Sequence, residues 1–326
     1  MKILESGQNV FLTGKAGVGK STLLREFLAR AKTAKKKCVV CAPTGLAALN
    51  IDGITLHRCF NIKIGPLGPD EPREEWFQPS DILQQADVIV IDEISMCRFD
   101  AFSYVCRYLT LLKRKIQVVL VGDFFQLPPV IREDDASALK RLWDNGEIGE
   151  GFAFLSHYWS ELNLITINLQ QVMRQSDVDF INVLNSIRSN SGEDADVLAW
   201  LKENSEKNKA ENPTLYADAV RIVPYKKTAE AINRKKLAEI KGKEYVYEGQ
   251  VIDDFTVSDA PVEQTLSLKA GARVMALAND PEGRYVNGST GVVIRCNKKS
   301  KTILVRFDNG NRVGVSPYTW KKFQYE

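Results

Sequence analysis

The sequence of 326 residues has few of the features that mark several common protein classes. It contains two histidines and six cysteines, and its C-x-x-C pair, Cys38 and Cys41, lies within an apolar, strand-like run. We therefore expect free thiols in a reducing compartment, because a structural zinc site needs about four such ligands. No apolar run approaches the roughly 20 residues of a membrane span. The N-terminal segment MKILESGQNV also lacks the apolar core of a secretory signal.

The chain also lacks a large excess of either charge, since 44 Lys and Arg residues against 41 Asp and Glu residues give a net charge of only +3. This value excludes a strongly basic chain but permits local basic patches. Hydrophobic residues make up 44% of the chain and charged residues 26%, which is the balance of a globular protein with ordinary buried cores. The length predicts about two domains.

The first half of the chain repeats one pattern, in which a short apolar run ends in a polar turn and a helical stretch follows. The runs are NVFLTG (9–14), CVVCAPT (38–44), DVIVIDE (87–93) and QVVLVGD (117–123). Runs that are apolar throughout are typical of strands buried on both faces, which indicates a parallel sheet flanked by helices. Because ligands bind beyond the carboxyl ends of such strands, we expect the polar segments to converge at one edge.

The segment from Gly14 to Ser21 matches G-x-x-x-x-G-K-[ST] completely, between a predicted strand and a predicted helix. Its glycines let successive backbone N–H groups point at phosphates, and the helix N-terminus adds partial positive charge. We expect Lys20 to reach the β- and γ-phosphates and Ser21 to hold Mg²⁺. The residues expected to bind the nucleotide are Gly14, Lys15, Ala16, Gly17, Val18, Gly19, Lys20, Ser21 and Thr22.

Polar residues after the next apolar runs indicate hydrolysis. Asp92 is expected beside Mg²⁺, and Glu93 is expected to polarise the attacking water; the alternative is an acid pair that caps a helix. No guanine-reading N-K-x-D segment follows, so ATP is the expected nucleotide. Gln126 either contacts the γ-phosphate or the attacking water, or caps the turn before Pro128 and Pro129, and its spacing leaves both open.

Several segments together resemble the Pif-type DNA helicases, RecD-like members of helicase superfamily 1 that move 5′ to 3′. They are APTGLAALNIDGITLHRCF (42–60), IDEISM (91–96), GDFFQLPPV (122–130), VMRQ (172–175), LNSIRSN (184–190), LSLKAGARVMALAND (266–280) and YVNGSTGVV (285–293). The match runs in order over nearly the whole chain. The resemblance implies an α/β P-loop NTPase with two RecA-like parallel-sheet domains, the second incomplete, and a small SH3-like β barrel at the C-terminus.

The resemblance and the order of the apolar runs together give the expected domain bounds. They are residues 1–160 for the first RecA-like ATPase domain with a wedge-like insert at 61–80, residues 161–265 for the partial second domain, and residues 266–326 for the β-rich region. The runs LITINL (164–169) and AVRIVPY (219–225) are predicted strands of the second domain. In the insert, Trp76 or Phe77 either stacks on a base at a fork or pins the insert to its domain.

The resemblance also implies roles for single residues. It assigns Gln126 to γ-phosphate sensing and makes Arg174 an arginine finger from the second domain, whereas the residues alone favour a surface arginine. The catalytic set is then Lys20, Glu93, Gln126 and Arg174, with Ser21 and Asp92 on the metal. The implied DNA contacts are Thr44, Gly45, His57 and Phe60 in the first domain and Lys226 in the second.

Two segments that the resemblance implies are missing from the sequence. One is a glutamine motif upstream of the phosphate loop, for which Gln8 stands too close, and the other is an HKSQG segment followed by an arginine-bearing motif. The expectation is therefore a fragment or a degenerate member of the family. ATP binding is expected to survive this loss better than processive unwinding.

The expected function is an ATP-dependent 5′–3′ DNA helicase that uses ATP and Mg²⁺ and couples hydrolysis to translocation on single-stranded DNA. The alternative is an ATP- and single-stranded-DNA-binding module without unwinding activity, and a loader that acts on protein is disfavoured by the PTG and TLH segments. The expected partners are single-stranded and forked DNA, with no membrane, and the expected state is a monomer. The expected location is the cytoplasm, with the nucleoid in a bacterium, or the nucleus or mitochondrion in a eukaryote. DNA repair, recombination and telomere maintenance are implied pathways among which the sequence does not choose.

Overall fold

The computed structural model describes residues 1–143, 148–189, 194–251 and 263–319. The chain forms two compact units, Met1–Lys207 and Asn208–Glu326. Residues 252–262 of the predicted second domain and residues 320–326 of the predicted β-rich region lie outside the described residues. Among the residues that are described, no helix combines the length and the apolar character that crossing a membrane requires.

The first unit is built on a parallel sheet. Its strands in the described residues are β1 (Val10–Gly14), β2 (Cys38–Ala42), β3 (Ile54–Thr55), β4 (Val88–Ile91), β5 (Gln117–Val121) and β6 (Ile165–Leu169). They lie in the order β3-β2-β4-β5-β1-β6, and every neighbouring pair is parallel. All residues of β4 and β5 are buried, as expected for central strands with helices on both faces. The predicted α/β parallel-sheet fold is thus confirmed.

Helices connect these strands and cover the sheet. They are α1 (Lys2–Glu5), α2 (Lys20–Thr33), α3 (Gly45–Asn50), α4 (Leu56–Phe60), α5 (Asp81–Gln84), α6 (Phe99–Leu111), α7 (Glu133–Leu142), α8 (Tyr158–Glu161) and α9 (Val178–Ser189). Short 3₁₀ turns lie at Glu74–Trp76, Ile94–Met96 and Ala153–Leu155, and α10 (Asp194–Glu211) runs from the first unit into the second.

Each face of the sheet carries its own hydrophobic core. In β4, Ile89 and Ile91 belong to the core that α6 covers, whereas Val88 and Val90 belong to the core that α2 covers. This alternation follows from the strand period of two residues. Each fully buried side chain of this size contributes about 1.5–3 kcal/mol to folding. The two cores fix the strand ends, and with them the polar segments at the carboxyl edge.

The sequence analysis expects LITINL to be a strand of the second domain. It forms β6 instead, which lies in the sheet of the first unit. It pairs in parallel with β1, from Val10 opposite Ile165 to Gly14 opposite Leu169. The side-chain amide of Asn9 also donates to the Leu162 carbonyl oxygen at 2.8 Å. The sequence prediction missed this pairing because an apolar run indicates a strand but not its partner.

The second unit is rich in antiparallel strands. Its elements are α11 (Pro213–Asp218), α12 (Lys226–Glu239), β7 (Tyr245–Glu248), β8 (Thr265–Leu268), β9 (Arg273–Met275), β10 (Thr290–Asn297), β11 (Thr302–Phe307) and β12 (Arg312–Val315). Strands β7 and β8 form one antiparallel pair, and the other four form a sheet in the order β12-β11-β10-β9. This sheet is consistent with the predicted β-rich C-terminal region.

The predicted strand at 219–225 does not form. These residues lie in no strand, and Ile222 is 96% exposed, with Val220 and Tyr225 also exposed. A strand needs a neighbour for its backbone N–H and C=O groups, and the described part of the second unit offers no parallel partner. Residues 219–225 are mostly apolar, but the prediction that they form a strand is wrong.

Candidate nucleotide-binding site

The phosphate loop connects β1 to α2 and depends on glycine. Gly14, Gly17 and Gly19 have φ values of 143°, 76° and 89°, a region that disfavours residues with a Cβ. A Cβ at Gly14 would also collide with the carbonyl oxygen of Leu169 on the neighbouring strand. Gly19 is the N-cap residue of α2, and the first turn of this helix contains no acid. The loop therefore presents backbone N–H groups and a positive helix end, which suit a phosphate.

Lys20 is the first residue of α2 and its side chain folds back over the loop. Its Nζ donates to the carbonyl oxygens of Gly14 at 2.8 Å and Lys15 at 3.1 Å. Burial lowers the pKa of Lys20, and three nearby carboxylates oppose this shift only in part. Ser21 and Thr22 are exposed in the first helical turn, so their hydroxyl groups are accessible.

The other loop residues expected to bind nucleotide differ in side-chain environment. Val18 is buried and Ala16 is exposed, while Lys15 is partly buried. A phosphate loop of this type works through its backbone amides. The roles of Ala16 and Val18 therefore remain predictions about their main chain rather than their side chains.

Asp92 and Glu93 follow β4 at the same edge of the sheet. Asp92 is only 7% exposed, and its Oδ1 accepts a hydrogen bond from the Glu93 amide at 2.9 Å. Burial raises the pKa of both carboxyl groups. Glu93 has a φ of 51°, and it precedes the 3₁₀ turn Ile94–Met96 without a capping hydrogen bond from its side chain. The structure thus argues against the helix-cap alternative for Glu93.

Asp123 lies just after β5 and organises the segment that contains Gln126. It is 1% exposed, and its Oδ2 accepts a hydrogen bond from Gln126 Nε2 at 3.2 Å. Arg188 of α9 donates to the same carboxylate, from Nη2 to Oδ1 at 2.8 Å and from Nε to Oδ2 at 3.3 Å. Burial acts to raise the pKa of Asp123, but the hydrogen bonds from Arg188 and Gln126 hold it below its ordinary value.

Sequence reasoning missed Asp123 and Arg188 as members of the site. Both lie in segments that carry the family resemblance, GDFFQLPPV and LNSIRSN, but neither had an assigned role. The available signal was an acid directly after a buried strand, the same signal that identified Asp92.

Arg174 contacts the phosphate loop through its backbone. The carbonyl oxygen of Gly17 accepts hydrogen bonds from the amides of Met173 at 2.8 Å and Arg174 at 3.1 Å. The Arg174 side chain is exposed. The structure therefore brings this arginine to the loop. The sequence analysis expects Arg174 in the second domain, but it lies in the first compact unit.

The donor set fits a magnesium ion that arrives with a triphosphate. Within the described ranges, no group of three or more His, Cys, Asp or Glu residues could hold a metal by itself. The Ser21 hydroxyl and the Asp92 carboxylate would supply two oxygen ligands, and phosphate oxygens and water would supply the others. Mg²⁺ is commonly bound in this way, through few protein ligands and the phosphates of its substrate.

Phe60, expected to present its ring to DNA, lies in the protein core. Its side chain is fully buried and packs edge-on against Tyr108, with ring centroids 5.2 Å apart. A buried ring cannot stack on a base, so this prediction is wrong. The sequence placed Phe60 near the TLH segment correctly, but α4 turns its ring inward to the core that α6 covers.

The other expected DNA contacts of the first unit lie near the sheet edge. Thr44 Oγ1 accepts a hydrogen bond from the Ala47 amide at 3.2 Å, so Thr44 caps α3, and Gly45 is exposed. His57 on α4 is partly buried, and burial together with the charge of Arg98 lowers its pKa. Their contact with DNA remains a prediction.

In the second unit, Lys226 lies at the N-terminus of α12. It is exposed, the first turn contains no acid, and the N-cap residue Tyr225 makes no capping side-chain hydrogen bond. A helix start without an acid or a cap is compatible with an external anion. The DNA contact of Lys226 also remains a prediction.

The two aromatic residues of the insert have different environments. Phe77 packs against Tyr108, with ring centroids 4.7 Å apart, and so pins the insert to α6. Trp76 is 75% exposed, and the guanidinium of Arg73 lies 5.7 Å from its ring centroid. The pinning role therefore belongs to Phe77, and Trp76 is the ring that remains accessible.

Comparisons with known proteins give one consistent result. A family profile described as PIF1-like helicase matches residues 2–196. The ATP-dependent DNA helicase Pif1 of Bdellovibrio bacteriovorus is 34% identical over 330 residues, which cover 97% of this chain and 70% of that protein.

Two solved structures are similar over the whole chain. One describes DNA unwinding at forked double-stranded DNA by two coordinating Pif1 helicases, with a TM-score of 0.74, 34% identity, and coverage of 98% of this chain and 75% of that chain. The other is Bacteroides Pif1 bound to single-stranded DNA, with a TM-score of 0.72, 33% identity, and coverage of 100% and 75%.

Proposed function

The chain belongs to the PIF1-like helicase family, and we propose that it is an ATP-dependent 5′–3′ DNA helicase that couples ATP hydrolysis to translocation on single-stranded DNA. The family membership confirms the resemblance drawn from the sequence. Relatives are named ATP-dependent DNA helicases, and similar structures contain single-stranded or forked DNA. These findings support ATP and DNA as partners of this chain, and Mg²⁺ is proposed from the chemistry of Ser21 and Asp92.

One observation carries the proposal: the loop that contains Arg174 is hydrogen-bonded to the phosphate loop at Gly17. This contact holds the Arg174 backbone against the phosphate loop, which supports a role for its guanidinium at the phosphates. An arginine there stabilises the negative charge that develops as the γ-phosphoryl group transfers. Movement of the Arg174 loop would then change the rate of hydrolysis.

The remaining residues divide the chemistry among them. Lys20 and the loop amides bind the triphosphate, and Ser21 and Asp92 hold the metal, which neutralises phosphate charge when bound. Glu93 orients and deprotonates the attacking water; burial raises its pKa and so makes the carboxylate a stronger base. Gln126, held by Asp123, senses the γ-phosphate.

DNA is proposed to contact the first unit at Thr44, Gly45 and His57, and the second unit at Lys226. A helix start such as that of α3 can donate backbone N–H groups to a phosphate without reading sequence. Trp76, the exposed ring of the insert, is the proposed contact with a base at a fork, where aromatic stacking is tolerant of sequence.

The proposal is tested by ATPase and strand-displacement assays on the purified chain. We expect single-stranded DNA to stimulate hydrolysis and a substrate with a 5′ tail to be unwound in preference to one with a 3′ tail. Lys20→Ala should abolish turnover, and Lys32→Ala, an exposed lysine on the same helix, serves as the matched control. Full ATPase activity in Lys20→Ala, or unwinding from the 3′ tail alone, would contradict the proposal.

A second candidate is a module that binds ATP and single-stranded DNA without unwinding. It is favoured by the exposed, unpaired segment 219–225 and by the absence of parallel strands from the described part of the second unit. Its signature is DNA-stimulated hydrolysis with no strand displacement from either tail. An ATPase rate that does not change when DNA is added is instead what the hypothesis of a loader acting on protein predicts.

We further propose that the chain acts as a monomer, which sedimentation with and without forked DNA would check. Two copies per fork would contradict this and match the similar structure with two helicases. The proposed location is the nucleoid-containing cytoplasm of a bacterium, or the nucleus or mitochondrion of a eukaryote. The proposed processes are repair and recombination, and telomere maintenance where chromosomes are linear.

A further inference from the structure

The Asp123 carboxylate lies near Lys20 of the phosphate loop and is almost completely inaccessible to solvent. Its exposed fraction is 1%, and a buried carboxylate is costly unless it is paired and hydrogen-bonded. Arg188 provides that partner with two N–H donors, one to each carboxylate oxygen, from a position 65 residues away in the chain. Such a two-point contact fixes the orientation of a carboxylate as well as its charge.

The orientation of Asp123 in turn fixes the segment that contains Gln126. The carboxylate accepts hydrogen bonds from the Gln126 side chain at 3.2 Å and from the Phe125 amide at 3.2 Å. The Gln126 amide also donates to the Asp123 carbonyl oxygen at 2.9 Å. The side chain of Gln126 is otherwise exposed, so these bonds define where its amide group lies.

Arg188 also attaches α9 to the sheet edge. None of the residues of α9 is fully buried, and Val178, Leu184 and Ile187 are exposed, so apolar packing contributes little to its position. The guanidinium of Arg188 lies 4.3 Å from the ring centroid of Phe125, a cation–π contact that adds to the ion pair. Helix α9 follows Arg174 closely in the chain.

We propose that Arg188 is a positioning residue for Gln126, and that through Asp123 it joins the γ-phosphate-sensing segment to the helix that follows Arg174. The inference rests on the proposed function, because it assigns Arg188 to the same ATP site. It does not require Arg188 to touch the nucleotide. Its effect is to keep the sensing amide and the Arg174 loop in a fixed relation.

The test compares Arg188→Ala with Asn182→Ala, an exposed position on the same helix. Arg188→Ala leaves a buried carboxylate without its main partner, and we expect kcat for ATP to fall about ten- to a hundredfold, with KM changed by less than about threefold. Arg188→Lys retains the charge but cannot donate in the same fork geometry, so we expect an intermediate kcat. Asn182→Ala should behave like the wild type.

The decisive variant is Arg188→Ala combined with Asp123→Asn. Asp123→Asn removes the unpaired charge but keeps a side-chain oxygen that can accept the hydrogen bond from Gln126. The kcat of the double variant should therefore rise above that of Arg188→Ala alone. A purely structural role of Arg188 in holding α9 predicts no such recovery, and that result would overturn the inference. Thermal unfolding of each variant identifies losses that come from misfolding; if Arg188→Ala does not fold, the kcat of Arg188→Lys decides, and a wild-type value would overturn the inference.

The outcomes separate the two proposals. A wild-type chain without ATPase activity would refute the proposed function. An active wild-type chain in which Arg188→Ala matches Asn182→Ala would refute only the positioning role.

Discussion

Gly17 and Arg174 are joined through their backbones, and there is no space between them for another atom. The Gly17 carbonyl oxygen accepts a hydrogen bond from the Arg174 amide at 3.1 Å, and a Cβ placed on Gly17 would lie 2.8 Å from the Cβ of Arg174. The side of the phosphate loop at Gly17 is therefore in van der Waals contact with the arginine segment. Glycine is required at this position by its neighbour as well as by its own φ.

Gly17→Ala should weaken ATP binding and slow hydrolysis. Alanine at a φ of 76° costs about 1–2 kcal/mol, and the added methyl group must also displace Arg174. Binding of a fluorescent ATP analogue and steady-state ATPase rates measure both effects. Gly7→Ala is the control, because Gly7 has a φ of 79° with nothing within 4 Å of its Cβ position. Equal ATP affinities in the two variants would contradict the role assigned to the contact with Arg174.

Phe60→Ala should destabilise the protein rather than act on DNA directly. The ring is fully buried, and truncation of such a residue costs about 3–5 kcal/mol. Urea unfolding followed by fluorescence measures the loss. Trp76→Ala, at an exposed ring, should change the free energy of unfolding by less than about 0.5 kcal/mol while reducing displacement at forks. A stable Phe60→Ala variant with selectively weaker DNA binding would restore the original assignment.

Arg98→Ala should loosen the start of the insert. The guanidinium donates to both oxygens of Asp100 and to the Gly65 carbonyl oxygen, and Asp100 in turn accepts from the Leu67 amide at 3.0 Å. Removal of one partner from a buried ion pair costs about 3–5 kcal/mol. Hydrogen exchange at the Leu67 amide should accelerate together with the loss of stability.

The matched control for this variant is Arg141→Ala, at an exposed arginine of α7. It should change stability by less than about 0.5 kcal/mol. An unchanged exchange rate at Leu67 in Arg98→Ala would show that the insert is held by other contacts, such as that between Phe77 and Tyr108.

His57 should give the protein a pH-dependent stability. Burial lowers the pKa of His57 below its ordinary value of 6.5. As pH falls below 6.5, the unfolded chain binds this proton before the folded chain does, so stability decreases from 6.5 down to the folded pKa and is constant above 6.5. The free energy of unfolding should therefore fall more between pH 7.5 and pH 5.5 in the wild type than in His57→Gln. If His157→Gln instead removed this pH dependence, His57 would not be its source.

Much of the fold followed from the sequence because its signals are local. The apolar runs that became β1, β2, β4 and β5 are hydrophobic throughout and end in polar segments, which requires no knowledge of the partner strand. The phosphate loop is equally local, since its glycines, Lys20 and Ser21 are adjacent in the chain. Their convergence at one sheet edge then follows from parallel topology.

The errors concern relations between distant residues. The pairing of β6 with β1, the inward orientation of Phe60 and the contact between Asp123 and Arg188 are all set by tertiary packing. A hydrophobic run at 219–225 likewise predicts a strand, but a strand forms only when a neighbour supplies hydrogen-bond partners. Single-sequence patterns do not contain this information.

The ladder between β1 and β6 determines how far Arg174 can extend. Gly14 is opposite Leu169, so the phosphate loop and the segment that leads to the arginine leave the sheet at the same level, and residues 170–173 span the remaining distance. One residue of extended chain covers about 3.3 Å, comparable to a hydrogen bond. Insertion or deletion of a single residue in 170–173 should therefore shift Arg174 from its backbone contact with Gly17 and, given the role proposed for Arg174, slow ATP hydrolysis.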